Sequence, residues 1–447
     1  MATMKKSFPL CTLGLVAALA SACSGTTDDA SGNPGGGQGG ASAGIAEARS
    51  EKAFDAAPAP AAADYAALVA AANDFGFDLY KKLGDDKNLI YSPISVTTAL
   101  SMTYAGAKGA TATQMAAVLH DGLGQPAWAG AFNKLIVDLD ARNVALHKTN
   151  DGDKSLKLHL VDAAFAQQGY EFVPAYLDTL GVHYNAGVKL LDFAGDAEGS
   201  RKLINGWVED NTEQKIKDLL PEGSISGGTR LVLANALYFY GSWTHPFQKA
   251  LTSSEAFHAP SGDVKVDTMH GVLAAPYAEG DGYKVAELGY DGGAVAMTIV
   301  LPDAGKLADV EQGLSSSWLA KTAVDLAANP AEVSFGLPKF KFTWGTKELV
   351  DSLEALGMKD AFSLPPADFS GMEPKGELYV SHVMHQAFVG VDEYGTEAAA
   401  ATAVVMDVGS APGDVKDFIL DRPFLFFVRD TTSGAVLFTG KVIDPTK

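Results

Sequence analysis

Cysteine and basic residues are scarce in this sequence. Only Cys11 and Cys23 occur among 447 residues, and 34 lysines and arginines stand against 54 aspartates and glutamates, a net charge of −20. Because Cys11 lies in the leader described below, we expect no disulfide, and the fold must be held by its apolar core. The negative charge disfavours binding to nucleic acid or anionic lipid, since both need a basic surface. With 47% hydrophobic residues, a sizeable core is expected.

The motifs of common enzyme and metal sites are also missing. HExxH, CxxC and GxGxxG do not occur, and Ile225 stands where a GxSxG motif would need its serine. His382 and His385 are three residues apart in a stretch that alternates like a strand, so they face opposite sides and cannot share a metal. We expect no catalytic residues, no metal site and no cofactor. An active site assembled from distant residues stays open as an alternative.

The N-terminus is predicted to direct export. Lys5 and Lys6 precede the apolar stretch 10–20, which is too short to span a bilayer, so residues 1–22 are interpreted as a signal peptide. The small residues before Cys23 resemble a bacterial lipobox, which implies cleavage before Cys23 and lipid attachment to it. The serine that follows suits an outer-membrane destination. The alternative is plain secretion, with Cys23 left as a free thiol.

Composition divides the remaining chain into a tether and one domain. Residues 23–63 are rich in Gly, Ala, Ser and Pro and are predicted to form a flexible tether. Residues 64–447 contain no further linker and no repeat, so they are interpreted as a single domain.

Helical and strand patterns occupy different halves of this domain. The pattern of the first half predicts helices over 65–83 and 203–220 and a capping box at 111–114. The helix over 203–220 is expected to end before Pro221. The second half predicts strands over 231–239, 380–391, 424–428 and 436–442. Helices followed by strands indicate the α+β class.

Residues 393–412, hereafter the reactive segment, have a strand-like pattern. Alanine at 398–401 is typical of a helix, but the valine-rich part that follows has no polar helical face. Divided by strand parity, the segment has one uncharged face that begins at Thr396 and one face that carries Glu397 and Asp407. The segment can therefore be a loop and yet suit a strand with one buried face.

Four separated motifs resemble the serpin family, and the similarity runs from about residue 66 to residue 445. They are the small-residue hinge Gly395–Ala400, the C-terminal signature 418–428, the stretch 88–95 with 99–102 and 106–109 behind it, and 235–239 leading to 241–243 and 246–247. The resemblance implies an α+β serpin fold, in which helices pack around a central, mostly antiparallel sheet with two smaller sheets and an exposed reactive-centre loop.

The resemblance also implies a mechanism and a partner. A target serine protease cleaves the reactive loop and becomes acylated, and the cut loop then inserts into the central sheet as a new strand before deacylation. The expected complex is covalent and 1:1, the inhibitor is expected to be a monomer, and its native state is expected to be metastable.

Site residues are carried over position by position. The implied hinge comprises Glu393, Gly395, Thr396, Glu397, Ala398, Ala399, Ala400 and Ala401. The implied gate comprises Ser92, Ser95, Asn235 and His385 where the strands part, with Trp243 and Lys339 at the top of the sheet. Lys339 is expected to form an ion pair with Glu393; a merely solvated pair is the alternative.

The scissile bond is placed by counting from the hinge. The count gives Gly409–Ser410, with Val408–Gly409 as the alternative, because the distance to Arg422 is a few residues longer than is usual in the family. No basic residue precedes either bond, so elastase-like or subtilisin-like targets are expected. A non-inhibitory binding module and an inhibitor of papain-like cysteine proteases remain open on the same scaffold.

Overall fold

The computed structural model describes residues 45–84, 86–397 and 415–447. The helices are α1 (Ala62–Leu83), α2 (Pro93–Tyr104), α3 (Gly109–Val118), α4 (Gln125–Asp140), α5 (Pro174–Tyr184), α6 (Ala197–Asn211), α7 (Leu307–Gly313), α8 (Ser316–Ala328) and α9 (Val350–Leu356). Within the described ranges, no helix is long and apolar enough to cross a membrane.

The strands fall into two sheets, and their bounds follow in chain order. They are β1 (Ala46–Ala48), β2 (Leu89–Tyr91), β3 (Val144–Thr149), β4 (Gly152–Gln167), β5 (Val188–Leu191), β6 (Leu231–Ser242), β7 (Ser253–Ala259), β8 (Gly262–Gly280), β9 (Tyr283–Gly289), β10 (Val295–Pro302), β11 (Pro330–Pro338), β12 (Phe340–Glu348), β13 (His382–Asp392), β14 (Gly395–Thr396), β15 (Lys416–Ile419), β16 (Phe424–Asp430) and β17 (Val436–Val442).

The central sheet has the strand order β1-β5-β4-β6-β14-β13-β12, with β3 paired to the upper part of β4. Most of its pairs are antiparallel, but β6 and β13 are parallel where they pair directly. The second sheet has the order β15-β11-β8-β9-β10-β16-β17-β2, with β7 paired to β8. The smaller sheets expected from the resemblance are thus continuous through the long strand β8, and the α+β class holds.

Helix α2 supports the central sheet from behind. All twelve of its residues are buried, and Pro93 occupies the first turn, where no backbone hydrogen-bond donor is missed. Ser92 caps the helix, because its hydroxyl accepts a hydrogen bond from the Ser95 backbone N–H at 3.2 Å. The opposite face of the sheet is covered by α6, against which alternate residues such as Val161 and Ala163 pack. Where both faces are covered, the lower part of β6 is buried on both sides.

Two expected helix boundaries are wrong. Helix α6 ends at Asn211 instead of continuing to residue 220, and the connector 212–230 contains left-handed backbone at Glu213, Gln214 and Asp218. Left-handed residues cannot continue a right-handed helix. The predicted capping box at 111–114 lies inside α3, which already begins at Gly109 and has no side-chain cap.

Part of the segment predicted as a flexible tether is ordered. Strand β1 pairs antiparallel with β5 at the edge of the central sheet. Beyond it, Arg49 donates a hydrogen bond to the Asn185 carbonyl at 2.9 Å, and Lys52 Nζ lies 2.8 Å from Asp178 Oδ2. The folded part of the described chain therefore includes residues 46–52, which precede the predicted domain boundary at residue 64. The β1–β5 backbone pairing and the contacts of Arg49 and Lys52 together hold this segment.

Candidate functional site

The candidate site is the space between strands β6 and β13, hereafter the slot. At its lower end the two strands pair directly, from Val232 with His382 to Asn235 with His385. At its upper end β14 lies between them, and Thr396 is paired with Gly241 on one side and with Val391 on the other. Gly395 and Thr396, the first two residues of the small-residue hinge, are therefore already part of the central sheet.

The four gate residues at the lower end form one hydrogen-bonded group. The Ser92 N–H donates to His385 Nε2 at 3.1 Å, so the ring proton resides on Nδ1, which donates to Asn235 Oδ1 at 2.6 Å. His385 is fully buried, and burial lowers its pKa to about 4. A neutral histidine thus bridges β13, β6 and the start of α2 at neutral pH.

Asp162 is a member of this group that the sequence analysis missed. It lies opposite Asn235 in the register of β4 with β6, and its Oδ1 accepts a hydrogen bond from Ser95 Oγ at 2.7 Å. Burial raises the pKa of Asp162 well above its ordinary value, and the Ser95 hydroxyl lowers it only in part. Among the described residues, Asp162 Oδ2 and Asn235 Nδ2 have no hydrogen-bond partner. A carboxyl at an inward strand position was the signal that could have revealed it.

The upper end of the slot is held by the expected ion pair. Lys339 Nζ lies 2.9 Å from Glu393 Oε2, and Thr252 Oγ1 donates to the other carboxylate oxygen at 2.9 Å. Burial raises the pKa of Glu393, but these two partners outweigh it and hold the pKa below its ordinary value. Trp243 stacks on Tyr290 at 4.5 Å and donates from Nε1 to the Asp392 carbonyl at 3.0 Å.

The described part of the hinge fits tightly into this upper end. Gly395 has φ 152°, and a Cβ atom there would lie 2.0 Å from the Gly241 carbonyl oxygen, so the position requires glycine. The Thr396 side chain is buried, and its hydroxyl lies 2.6 Å from the hydroxyl of Tyr290. Burial raises the pKa of Tyr290 far above the neutral range, so this pair is uncharged.

Glu397 does not face water as its strand parity suggests. Its side chain is only 5% exposed, and Lys215 Nζ lies 3.3 Å from its carboxylate. Lys215 belongs to the connector that follows α6, and this connector covers the outer face of the sheet at this point. The sequence analysis had extended α6 through this region and so missed the contact.

Other predicted site residues lie outside the described residues. They are Ala398, Ala399, Ala400 and Ala401 of the hinge, Val408, Gly409 and Ser410 around the predicted scissile bond, and Cys23. In the described ranges, no group of three or more His, Cys, Asp or Glu residues could hold a metal ion.

Comparison with known proteins assigns the family. The family model for serpins, described as serine protease inhibitors, matches residues 70–445. The chain belongs to the serpin family. It is 39% identical over 383 residues to an uncharacterized serpin-like protein of Thermococcus kodakarensis, covering 85% of this chain and 86% of the relative. It is 35% identical to human Serpin B13, covering 85% of this chain and 99% of the relative.

Solved serpin structures share the fold. The thermophilic serpin tengpin in its native state matches with a TM-score of 0.75 and 25% identity, covering 90% of this chain and all of tengpin. Thyroxine-binding globulin in complex with thyroxine matches with a TM-score of 0.72 and 27% identity, covering 85% of this chain and 99% of the globulin. A family described as protease inhibitors thus shares its scaffold with a thyroxine-binding protein, so family membership alone does not define the activity of this chain.

Proposed function

We propose that this serpin is a suicide inhibitor of serine proteases whose cleaved reactive segment inserts into the slot as a new strand. The observation that carries the proposal is the pairing of Gly395 and Thr396 with both β6 and β13. A loop whose first two residues already occupy the sheet needs only to extend an existing ladder. The alanines that follow in sequence present little steric resistance to insertion between two strands.

Extending the observed register gives each residue of the segment a position in the slot. Thr396 lies opposite Gly241 and Val391, so a residue six positions later falls opposite Asn235 and His385. That residue is Thr402, whose side chain would share the inward face with Thr396. A hydroxyl both donates and accepts, so it can replace the direct hydrogen bond between His385 Nδ1 and Asn235 Oδ1. The polar pair that closes the slot would then remain satisfied after insertion.

The target class follows from the predicted scissile bond. Neither Gly409–Ser410 nor the alternative Val408–Gly409 has a basic residue before it. Small and apolar residues suit the narrow or apolar specificity pockets of elastase-like and subtilisin-like enzymes.

The test is incubation with a panel of serine proteases and papain-like cysteine proteases, followed by denaturing electrophoresis. The proposal predicts an SDS-resistant 1:1 complex with an elastase-like or subtilisin-like enzyme. Cleavage of the segment without loss of protease activity across the panel would contradict it and favour a non-inhibitory binding module. Complexes formed only with papain-like enzymes would place the chain among inhibitors of cysteine proteases.

We also propose that the serpin is exported and anchored by lipid at Cys23. The short apolar stretch and the small residues before Cys23 support this proposal. Replacing Cys23 with alanine should move the protein from the membrane fraction to the soluble exported fraction. Unchanged fractionation of the variant would contradict lipid anchoring.

A further inference from the structure

The start of the connector crosses the outer face of the slot. Glu213 is paired with Lys157 of β4 at 3.2 Å, and the Asp218 carbonyl accepts a hydrogen bond from Thr346 of β12 at 3.4 Å. Strand β4 lies on one side of the slot and β12 on the other. Lys215 lies between these two attachments in sequence and reaches Glu397 at the mouth of the slot.

Glu397 directly follows the two residues of β14. Its backbone N–H donates to the Gly390 carbonyl at 2.8 Å, which continues the register of β14 with β13. Its φ of 58° is left-handed, a conformation that a non-glycine residue rarely adopts and that ends the strand. A further residue can join both ladders only after Glu397 has become extended, which redirects its side chain.

We propose that Lys215 is a positioning residue of loop insertion. By its contact with Glu397, Lys215 holds that residue in its left-handed conformation. Before cleavage, pairing of the segment with the sheet is thereby limited to Gly395 and Thr396. The inference rests on the proposed function. The carboxylate is almost completely covered, so removal of Lys215 leaves a buried charge without its nearest cation. The restraint would oppose spontaneous insertion, which would consume the inhibitor before it meets a protease.

The chain offers a matched control for this contact. Lys341 lies on the same outer face, with Nζ 5.5 Å above the Phe388 ring, to which Lys215 is also close at 5.8 Å. In the described part of the chain, Lys341 forms no hydrogen bond or ion pair. Lys341 also attracts the Glu397 carboxylate, but without forming an ion pair with it. Lys215→Met and Lys341→Met therefore each remove one positive charge from the same surface, but only the first removes the ion pair with Glu397. Lys215→Arg keeps the charge and the reach.

The primary measurement is amide hydrogen exchange at residues 396 and 397. Lys215→Met should raise the exchange rate about fivefold, equivalent to about 1 kcal/mol. Lys341→Met, which removes only a longer-range attraction, should raise the rate clearly less, and Lys215→Arg should keep the wild-type rate. In the second measurement, the inhibitory capacity of Lys215→Met should decay about fivefold faster on storage at a fixed elevated temperature. The charge exchange Lys215→Glu with Glu397→Lys should return both rates to wild type.

Equal hydrogen-exchange rates in Lys215→Met and Lys341→Met would overturn the inference. It would also be overturned if the double charge exchange had rates as high as those of its single variants. Hydrogen exchange reports on the hinge whether or not any protease is inhibited. A wild-type protein that inhibits no protease would therefore contradict the proposed function, while the exchange pattern would still decide the role of Lys215.

Discussion

Replacement of Thr396 by arginine should convert the inhibitor into a substrate. Thr396 is 3% exposed, and its hydroxyl is hydrogen-bonded to Tyr290, which itself stacks on Trp243. The first step of insertion keeps this residue between β6 and β13, so any strand that forms behind it must bury the side chain at this position. Among the described residues, the hydrogen-bond partner of the Thr396 hydroxyl is the neutral Tyr290 and not a carboxylate, so a guanidinium at this position would lack an anionic partner.

The expected penalty can be estimated from two contributions. The Tyr290 hydroxyl loses its partner, which costs about 1–3 kcal/mol. Burial of an unpaired charge costs several kcal/mol more, of which relaxation of the long side chain toward water recovers a part. A net cost of at least about 3 kcal/mol would slow insertion by more than about a hundredfold. Water would then hydrolyse the acyl bond before the protease is trapped.

The assay is the number of inhibitor molecules consumed per protease inactivated. It should rise more than about tenfold for Thr396→Arg and stay at the wild-type value for Thr396→Ser, which keeps the hydroxyl. Glu397→Arg is a poor control, because it places a second cation beside Lys215. Inhibition by Thr396→Arg at the wild-type stoichiometry would refute the claim that residue 396 enters the sheet with its side chain inward.

Two further predictions concern the scissile bond and the gate. Gly409→Arg should create inhibition of trypsin-like proteases, whose specificity pocket needs a cation before the cut bond, and mass spectrometry that places the cut outside residues 407–411 would contradict the predicted register. Because burial raises the pKa of Asp162, the native protein keeps a proton that the unfolded chain releases, so stability should fall as the pH rises above the ordinary carboxyl pKa and level off above the raised one. Asp162→Asn should remove this contribution, measured by denaturant unfolding as the difference between the pH profiles of wild type and variant, in which the contribution of His385 is common to both; identical pH profiles would contradict it.

The strands of the slot could be predicted from the sequence because their patterns are strong. The apolar run that begins at Leu231 became β6 and the extended stretch before Val391 became β13. The resemblance to the serpin family also predicted an ion pair between Glu393 and Lys339, which are distant in sequence. Such a pairing has no local signal, because it depends on the sheet that positions both residues.

The contacts that were missed depend on strand register and backbone turns, which hydrophobic periodicity does not specify. Asp162 joins the gate only through the register of β4 with β6, which no periodicity encodes. Lys215 reaches Glu397 only because the chain turns left-handed at Glu213 and Gln214, where the apolar spacing still indicates a helix. The ordered segment that contains β1 has a tether-like composition, and only pairing with β5 distinguishes it from one.

A structure of the protein cleaved in the reactive segment tests the central claim most directly. The account predicts a new strand between β6 and β13 over their whole length, antiparallel to β6, with Thr402 between Asn235 and His385. The direct hydrogen bond between His385 Nδ1 and Asn235 Oδ1, at 2.6 Å before cleavage, should then be replaced by contacts to the threonine hydroxyl. A cleaved protein in which β6 and β13 still pair directly at these residues would contradict insertion, and with it the proposed mechanism of inhibition.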